Sequence, residues 1–453
     1  MLMPVSIGYW ATRCKATRQA LIHRASLIVM RMRKIAIASA ALCALVQPAF
    51  AKTIAVAAGE GAQERLQEAL IAAEPGDVVE LAAGRFALTD GLSLDVNKVT
   101  MKGQGAKESV LDFSGQQGAG EGLLVTSDDV VLRDFAVENS KGDGIKSKGA
   151  DRIVYHKLRV EWTGGPKATN GAYGIYPVES KDVLVDSVLV RGASDAGIYV
   201  GQSDNIIVRD SLVMENVAGI EIENSYNADV HDNIATHNTG GVLVFDLPNL
   251  PQMGGKNVRI FSNIIVDNMT QNFAPKGNIV ANVPTGTGIM VMANRHVEIF
   301  DNVIGENGTT NIMVVGYRFP QKDAKYDPLP QGVVMWDNQH GRAGWAPQFR
   351  GGEQIAAAMG GRFPQIFWDG AGGPDRAPIV MDNVPALSLG LNDITSDPST
   401  AQPAPMVAAT SRPVALPTIS LPESMEVAVR SCDCCCQPWR CLWRQLQPPN
   451  PGR

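Results

Sequence analysis

Six side chains stand at positions that one geometry would bring together: Lys146 and Lys148, Tyr176 and Tyr199, Glu221 and Glu223. Two carboxylates on alternate residues are the set needed for general acid–base cleavage of a glycosidic bond. On a strand, residues i and i+2 lie about 7 Å apart, a separation that suits an inverting pair. The same six also fit uronate chemistry, in which the sugar carboxylate is neutralised, the C5 proton removed, and the leaving oxygen or opposite face protonated. There Lys146, Lys148 or a Ca²⁺ on Glu221 and Glu223 would neutralise, and Tyr199 or Tyr176 would serve as acid or base. His237, Phe245 and Asp246, with the two lysines, are candidate substrate-binding residues, and His296 is a candidate neighbour. Any single outward Lys, Tyr or Glu on a sheet is most often solvated surface, so only their clustering carries weight.

An internal repeat positions these residues. Gly-Ile or Gly-Val dipeptides begin at 144, 174, 197, 219, 241 and 288, three successive steps being 23, 22 and 22 residues. Each period holds three short runs of alternating Val, Ile and Leu, separated by Asn, Asp, Gly and Ser. Alternation of period two means strands with one face inward. Three such strands in 22 residues predict one turn of a parallel β-helix, stacked about 4.8 Å above the last. Asn233, Asn263 and Asn302 recur at one corner and Asn216, Asn238, Asn268 and Asn307 at the next. Their amides are placed to hydrogen-bond up and down the stack.

With the Ile of each Gly-Ile strand inward, its neighbours form an outward column of Lys146, Tyr176, Tyr199, Glu221, Leu243 and Met290. A second column reads Lys148, Val178, Gly201, Glu223, Phe245 and Met292. Insertions at 163–173 and 270–287 enter this face from one corner, and 246–255 and 318–331 leave it at the other. Opposed loops on a rigid scaffold predict a groove between them. Apolar spacing at Leu66, Ala69 and Leu70 predicts a helix capping the N-terminal end of the solenoid. Phe363, Ile366, Phe367 and Trp368 are expected to close the other end.

The expected organisation is therefore a leader over 1–51, with 1–29 an over-extended start, and a β-helix with end caps over 52–385. A Pro/Ala/Ser/Thr-rich linker over 386–422 and an unstructured Cys-rich tail over 423–453 follow. Residues 1–51 carry seven Lys/Arg, no Asp or Glu, an apolar run at 35–46, and Ala49-Phe50-Ala51 at the cleavage position. This is a secretory signal, so the mature protein is expected in the periplasm or outside the cell, with no membrane span left. Cleavage would leave 33 basic against 46 acidic side chains, a balance of −13 instead of −6. That argues against nucleic acid as a partner and requires a local basic patch or bridging Ca²⁺ for an acidic substrate. All seven cysteines, Cys14, Cys43, Cys432, Cys434, Cys435, Cys436 and Cys441, fall outside the repeat body.

The run Glu74-Pro-Gly-Asp-Val-Val-Glu-Leu-Ala-Ala-Gly84, then Met101-Lys-Gly-Gln-Gly105, and the Asn-punctuated repeat resemble the pectin-lyase-like right-handed parallel β-helix family over residues 53–385. The resemblance implies an all-β fold, and it is strongest to exported bacterial parallel β-helix repeat proteins. These are related to carbohydrate-acting β-helices and to a periplasmic copper-site maturation protein. The catalytic motifs of mannuronan epimerases, polygalacturonases and pectate lyases are absent, so the fold names no activity. Three functions compete. One is a carbohydrate-active protein binding and modifying a polysaccharide, with lyase or epimerase chemistry slightly ahead of hydrolysis. The second is a non-catalytic glycan-binding or envelope scaffold. The third is a periplasmic partner of a metal or electron-transfer protein, for which Met253, Met269, Met290, Met292 and Met313 with His296 form a thioether and imidazole set.

Overall fold

The computed structural model describes residues 51–429, apart from 119, 398, 399 and 412. The signal pattern and the cysteines therefore lie outside the described residues. One coil shows the design of the rest: Tyr226–His231, then Ile234–Thr236, then Gly240–Phe245. Each of these strands pairs in parallel with the equivalent strand one coil on, as in Val230↔Ile260, Ala235↔Ile265 and Val242↔Ile289. Away from the ends, strand order in every sheet advances by three elements, giving three sheets of twelve, ten and twelve strands. A chain wound round its own core produces that order; hairpins would not. Inward residues such as Ile220, Ile222, Val242, Val244, Ile289 and Val291 are wholly buried in one continuous core.

The corners explain why the repeat needs Asp and Asn. Between the first and second sheets, Asp232, Ser262, Asp301 and Asp337 take φ near +55°. Between the second and third, His237, Asp267 and Glu306 do the same. Left-handed backbone turns the chain sharply, and short polar side chains tolerate it best. An asparagine follows each of them. Asn233 Nδ2 donates to Asn263 Oδ1 at 3.0 Å, Asn263 to Asn302 at 3.0 Å, and Asn302 to Asn338 at 2.9 Å. The second ladder runs from Asn216 through Asn238 and Asn268 to Asn307, at 3.1, 3.0 and 3.3 Å. Each accepting oxygen also takes a corner backbone N–H, so the amides satisfy backbone that burial removes from water.

The helix Ala62–Ala72 buries Leu66, Ala69 and Leu70 against the first strand of all three sheets, Thr53–Val56, Gly84–Ala87 and Leu92–Leu94. At the far end Ile366–Trp368 continues the third sheet, pairing with 312–314 on one side and Ala386–Ser388 on the other. No helix among the described residues is long and apolar enough to cross a membrane.

The segment expected to be a flexible linker is docked instead. Ala404 and Pro405 pair antiparallel with Leu387 and Ser388 at the end of the third sheet, and from 416 to 429 the chain returns along the outside of the first sheet. Leu416 N–H reaches Glu298 Oε1 at 2.9 Å, and Asn205 Nδ2 reaches the Ser420 carbonyl at 3.1 Å. The helix Glu423–Val429 lies in the region expected to be an unstructured tail. It buries Met425, with Leu421, against Val154, Leu184 and Ile207, while Glu426 Oε2 pairs with Arg209 Nη2 at 2.9 Å. Val154, Leu184 and Ile207 face outward and are apolar, so they need cover. Composition alone hides that Ile419, Leu421 and Met425 supply it.

Candidate functional site

Strand register sets the outward columns of the third sheet. Lys146 lies opposite Tyr176, and Tyr199, Glu221, Leu243 and Met290 follow in register. In the second column Gly201, Glu223, Phe245 and Met292 align. The face is covered rather than open. Val280 and Val283 of the inserted segment 270–286 are buried on it with Leu243, Phe245, Met290 and Met292, and Phe273 and Ile279 pack alongside. The insertions thus roof the later coils with a second apolar layer. Asn278 fastens this roof, donating Nδ2 to Asp195 Oδ2 at 3.0 Å.

Beneath the roof lies an acidic cluster with little to neutralise it. Glu221 is 1% exposed and its Oε2 has no hydrogen-bond partner. Burial first, then the charges of Asp195 and Glu223, push its carboxyl well above the usual carboxylate range. Burial also raises Glu223 to about 7, against the hydrogen bond it accepts from Tyr199 Oη at 2.6 Å. Asp195 is raised to about 7 by burial, with Asp143 adding repulsion and Asn278 opposing. Burial therefore favours the protonated form of all three carboxyls. Burial and the neighbouring Glu223 keep Tyr199 a neutral phenol far above its ordinary range.

Gly201 makes the Tyr199–Glu223 contact possible. A Cβ at 201 would stand 2.4 to 2.8 Å from the Tyr199 ring and hydroxyl. The phenol lies across the space a side chain would fill on its way to the next coil. Tyr173, Tyr176 and Tyr199 form a trio with ring centroids 4.5 to 4.9 Å apart, half-exposed at Tyr173 and Tyr176. Burial pushes Tyr176 up to about 12. Lys146 Nζ sits 4.8 Å from the Tyr176 ring centroid, 3.0 Å from Glu121 Oε1 and 3.7 Å from Asp143 Oδ2.

Tyr176, Tyr199, Glu221, Glu223 and Lys146 thus share one face. Other candidates do not join them. Lys148 is exposed and pairs with Glu179 at 3.7 Å, off the cluster. His237 is a left-handed corner residue whose half-exposed ring pairs with Asp267 at 3.1 Å, because the tight turn aims it outward. Phe245 is wholly buried in the apolar layer and offers no surface to a substrate. Asp246 lies at the edge, close enough for its charge to raise Glu223. His296 sits exposed on the first sheet, apart from Met290, Met292 and Met313, which are buried among Leu243 and Phe245. No group of three or more His, Cys, Asp or Glu among the described residues could hold a metal ion. Asp195 and Asp143 escaped the sequence reading, although both stand just ahead of a Gly-Ile dipeptide, Asp143 one residue before it and Asp195 two.

A family model described as a right-handed beta helix region matches residues 98–271. The fold is a right-handed parallel β-helix. Solved structures similar to this β-helix include the A-module of a mannuronan C-5 epimerase from Azotobacter vinelandii, at 13% identity over 65% of this chain and 89% of that one, with TM-score 0.46. An alginate lyase from a Paenibacillus species is 18% identical over 64% and 97%, with TM-score 0.42. A polygalacturonase from Erwinia carotovora is 12% identical over 66% and 95%, with TM-score 0.49. No curated protein matches the chain.

Proposed function

We propose that this protein is a carbohydrate-active β-helix that binds a polysaccharide over the third sheet and cleaves it with Glu221 as acid and Glu223 as base. One observation carries the reading. Two buried carboxyl groups two residues apart on one strand differ in their partners, Glu221 Oε2 having none and Glu223 Oε1 accepting the Tyr199 hydroxyl at 2.6 Å. Glu221, with no cation or donor beside its buried oxygen, keeps a proton to give to a leaving oxygen. Glu223, steadied by the Tyr199 hydroxyl, ionises near neutrality and can accept a proton from water. Glycoside hydrolysis divides its work in this way, and a backbone separation of about 7 Å leaves room for the water of an inverting reaction.

Uronate elimination or epimerisation, which the sequence placed slightly ahead, fits less well. It needs a positive group at the sugar carboxylate, and both lysines of the face are already engaged by Glu121, Asp143 and Glu179. A neutral glycan suits the acidic cluster better, with Tyr173 and Tyr176 as the apolar ring surface at its margin. The glycan reaches the pair when the segment 270–286 lifts. That cover also favours a second reading, a glycan-binding scaffold without turnover.

Incubation with neutral and uronate polysaccharides separates these readings. The first gives new reducing ends from a neutral glycan, reduced about 10² to 10⁴-fold in E221Q. Saturable binding with no products selects the scaffold; unsaturated or epimerised uronates would return the lyase or epimerase. We further place the mature protein outside the cytoplasm, on the signal pattern at 31–51. Protein from the native envelope fraction should then begin at Lys52, and an intact Met1 or Met30 start would refute it.

A further inference from the structure

A pocket of about 440 Å³ opens where the third sheet turns into the first. Tyr226, Asp246, Arg295, Lys325, Tyr326 and Asp327 line it. Two of its groups are left unsatisfied. Asp246 is wholly buried; its Oδ1 accepts the Gly255 N–H at 2.8 Å, while Oδ2 has no partner. Arg295 Nη2 lies 3.4 Å from Asp327 Oδ2, while its Nε has no partner. The walls are fixed from behind. Tyr226 donates its hydroxyl to the Met253 carbonyl at 2.7 Å, Tyr326 donates to the Asp246 carbonyl, and Arg376 Nη2 holds Asp327 at 3.0 Å. Such a site is built before anything enters it, and an unmet buried acceptor beside an unmet donor is costly to leave empty.

The mixture of signs selects the ligand. An anion would meet Arg295 and Lys325 but also Asp246 and Asp327. A bare cation would meet the reverse. A ligand of uncharged hydroxyls satisfies both, because each hydroxyl donates once and accepts as well. Tyr226 and Tyr326 add ring surface, and the volume lies in the usual range for small-molecule sites. We propose that this pocket binds one unit of a neutral glycan, with adjacent hydroxyls bridging Asp246 Oδ2 and Arg295 Nε. Asp246 follows Phe245, whose register partner is Glu223, so the unit sits next to the acid–base pair. The inference deepens the proposed function by naming the substrate class, and it rests on that reading only for what happens after binding.

Calorimetric titration tests it, with cellotetraose, maltotetraose and laminaritetraose as neutral probes and tetragalacturonate and tetramannuronate as acidic ones. At least one neutral tetrasaccharide should saturate a single site. D246N keeps an oxygen for Gly255 and replaces the unmet acceptor by a donor; it should weaken binding tenfold or more. R295M, altered at a part-exposed strand edge, should do the same and serves if D246N fails to fold. No neutral binding, tighter binding of either uronate, or full affinity in R295M overturns the inference. Neutral binding lost in R295M but with no turnover leaves it standing and defeats the hydrolase alone. Turnover with R295M unaffected defeats the pocket alone.

Discussion

Replacing Glu223 by Gln should make the protein more stable, and only at neutral and alkaline pH. The carboxyl titrates at 4.5 in an unfolded chain and at about 7 in the fold. A carboxyl raised on folding contributes no penalty below pH 4.5. The penalty grows as pH climbs from 4.5 to 7, where the unfolded chain has released a proton the fold still holds, and then levels off. One pH unit is worth about 1.36 kcal/mol, so the plateau is about 3 kcal/mol. Glutamine resembles the neutral acid, keeps an oxygen for the Tyr199 hydroxyl, and never ionises. At about 2.1 cal/mol/K per residue, a solenoid of roughly 330 residues unfolds with about 0.7 kcal/mol/K, so 3 kcal/mol is about 4 °C in Tm. Scanning calorimetry at pH 4 and pH 8 should find E223Q level with the parent at pH 4 and about 4 °C above it at pH 8. A shift of the same size at both values, or a loss at pH 8, would refute the claim that burial holds Glu223 at a raised pKa.

Two further substitutions test how the cluster is held. G201A should push the Tyr199 ring aside and break its hydrogen bond to Glu223, since a Cβ there would lie 2.4 to 2.8 Å from the ring. Its Tm should fall by an amount equivalent to about 1–3 kcal/mol, with altered Tyr199 fluorescence or ring NMR shifts; unchanged signals would count against the arrangement. N278A should release the roof segment from Asp195. Hydrogen exchange within 270–286 should quicken while the coil strands keep their protection, and equal exchange in both proteins would show that the contact does not fasten the segment.

The repeat was legible because β-helix physics writes itself into spacing. Gly-Ile steps of 22 and 23 residues fixed the coils, and the columns through Tyr199, Glu221 and Leu243 appear in the register expected. The asparagine ladders were equally readable, since one amide must serve the same corner in every coil. What alternation leaves out is cover. It says which residues face outward, but Val280, Val283 and Phe273 lie in an insertion without periodicity, so the roof over Phe245 and Met292 was invisible. His237 was misjudged for a related reason. It was named as a neighbour of the face, and only the left-handed turn decides that its ring leaves that face. Asp195 was missed because it precedes its strand, outside the alternation that marked Tyr199 and Glu221.

The account stands on Glu221 keeping its proton at neutral pH while buried beside Glu223. Infrared difference spectroscopy between the parent protein and E221Q isolates the carboxyl stretch of that one side chain. A protonated-carboxyl band that persists from pH 5 through pH 7.5 is the predicted result. A band that gives way to carboxylate with a midpoint near the ordinary 4.5 would contradict it.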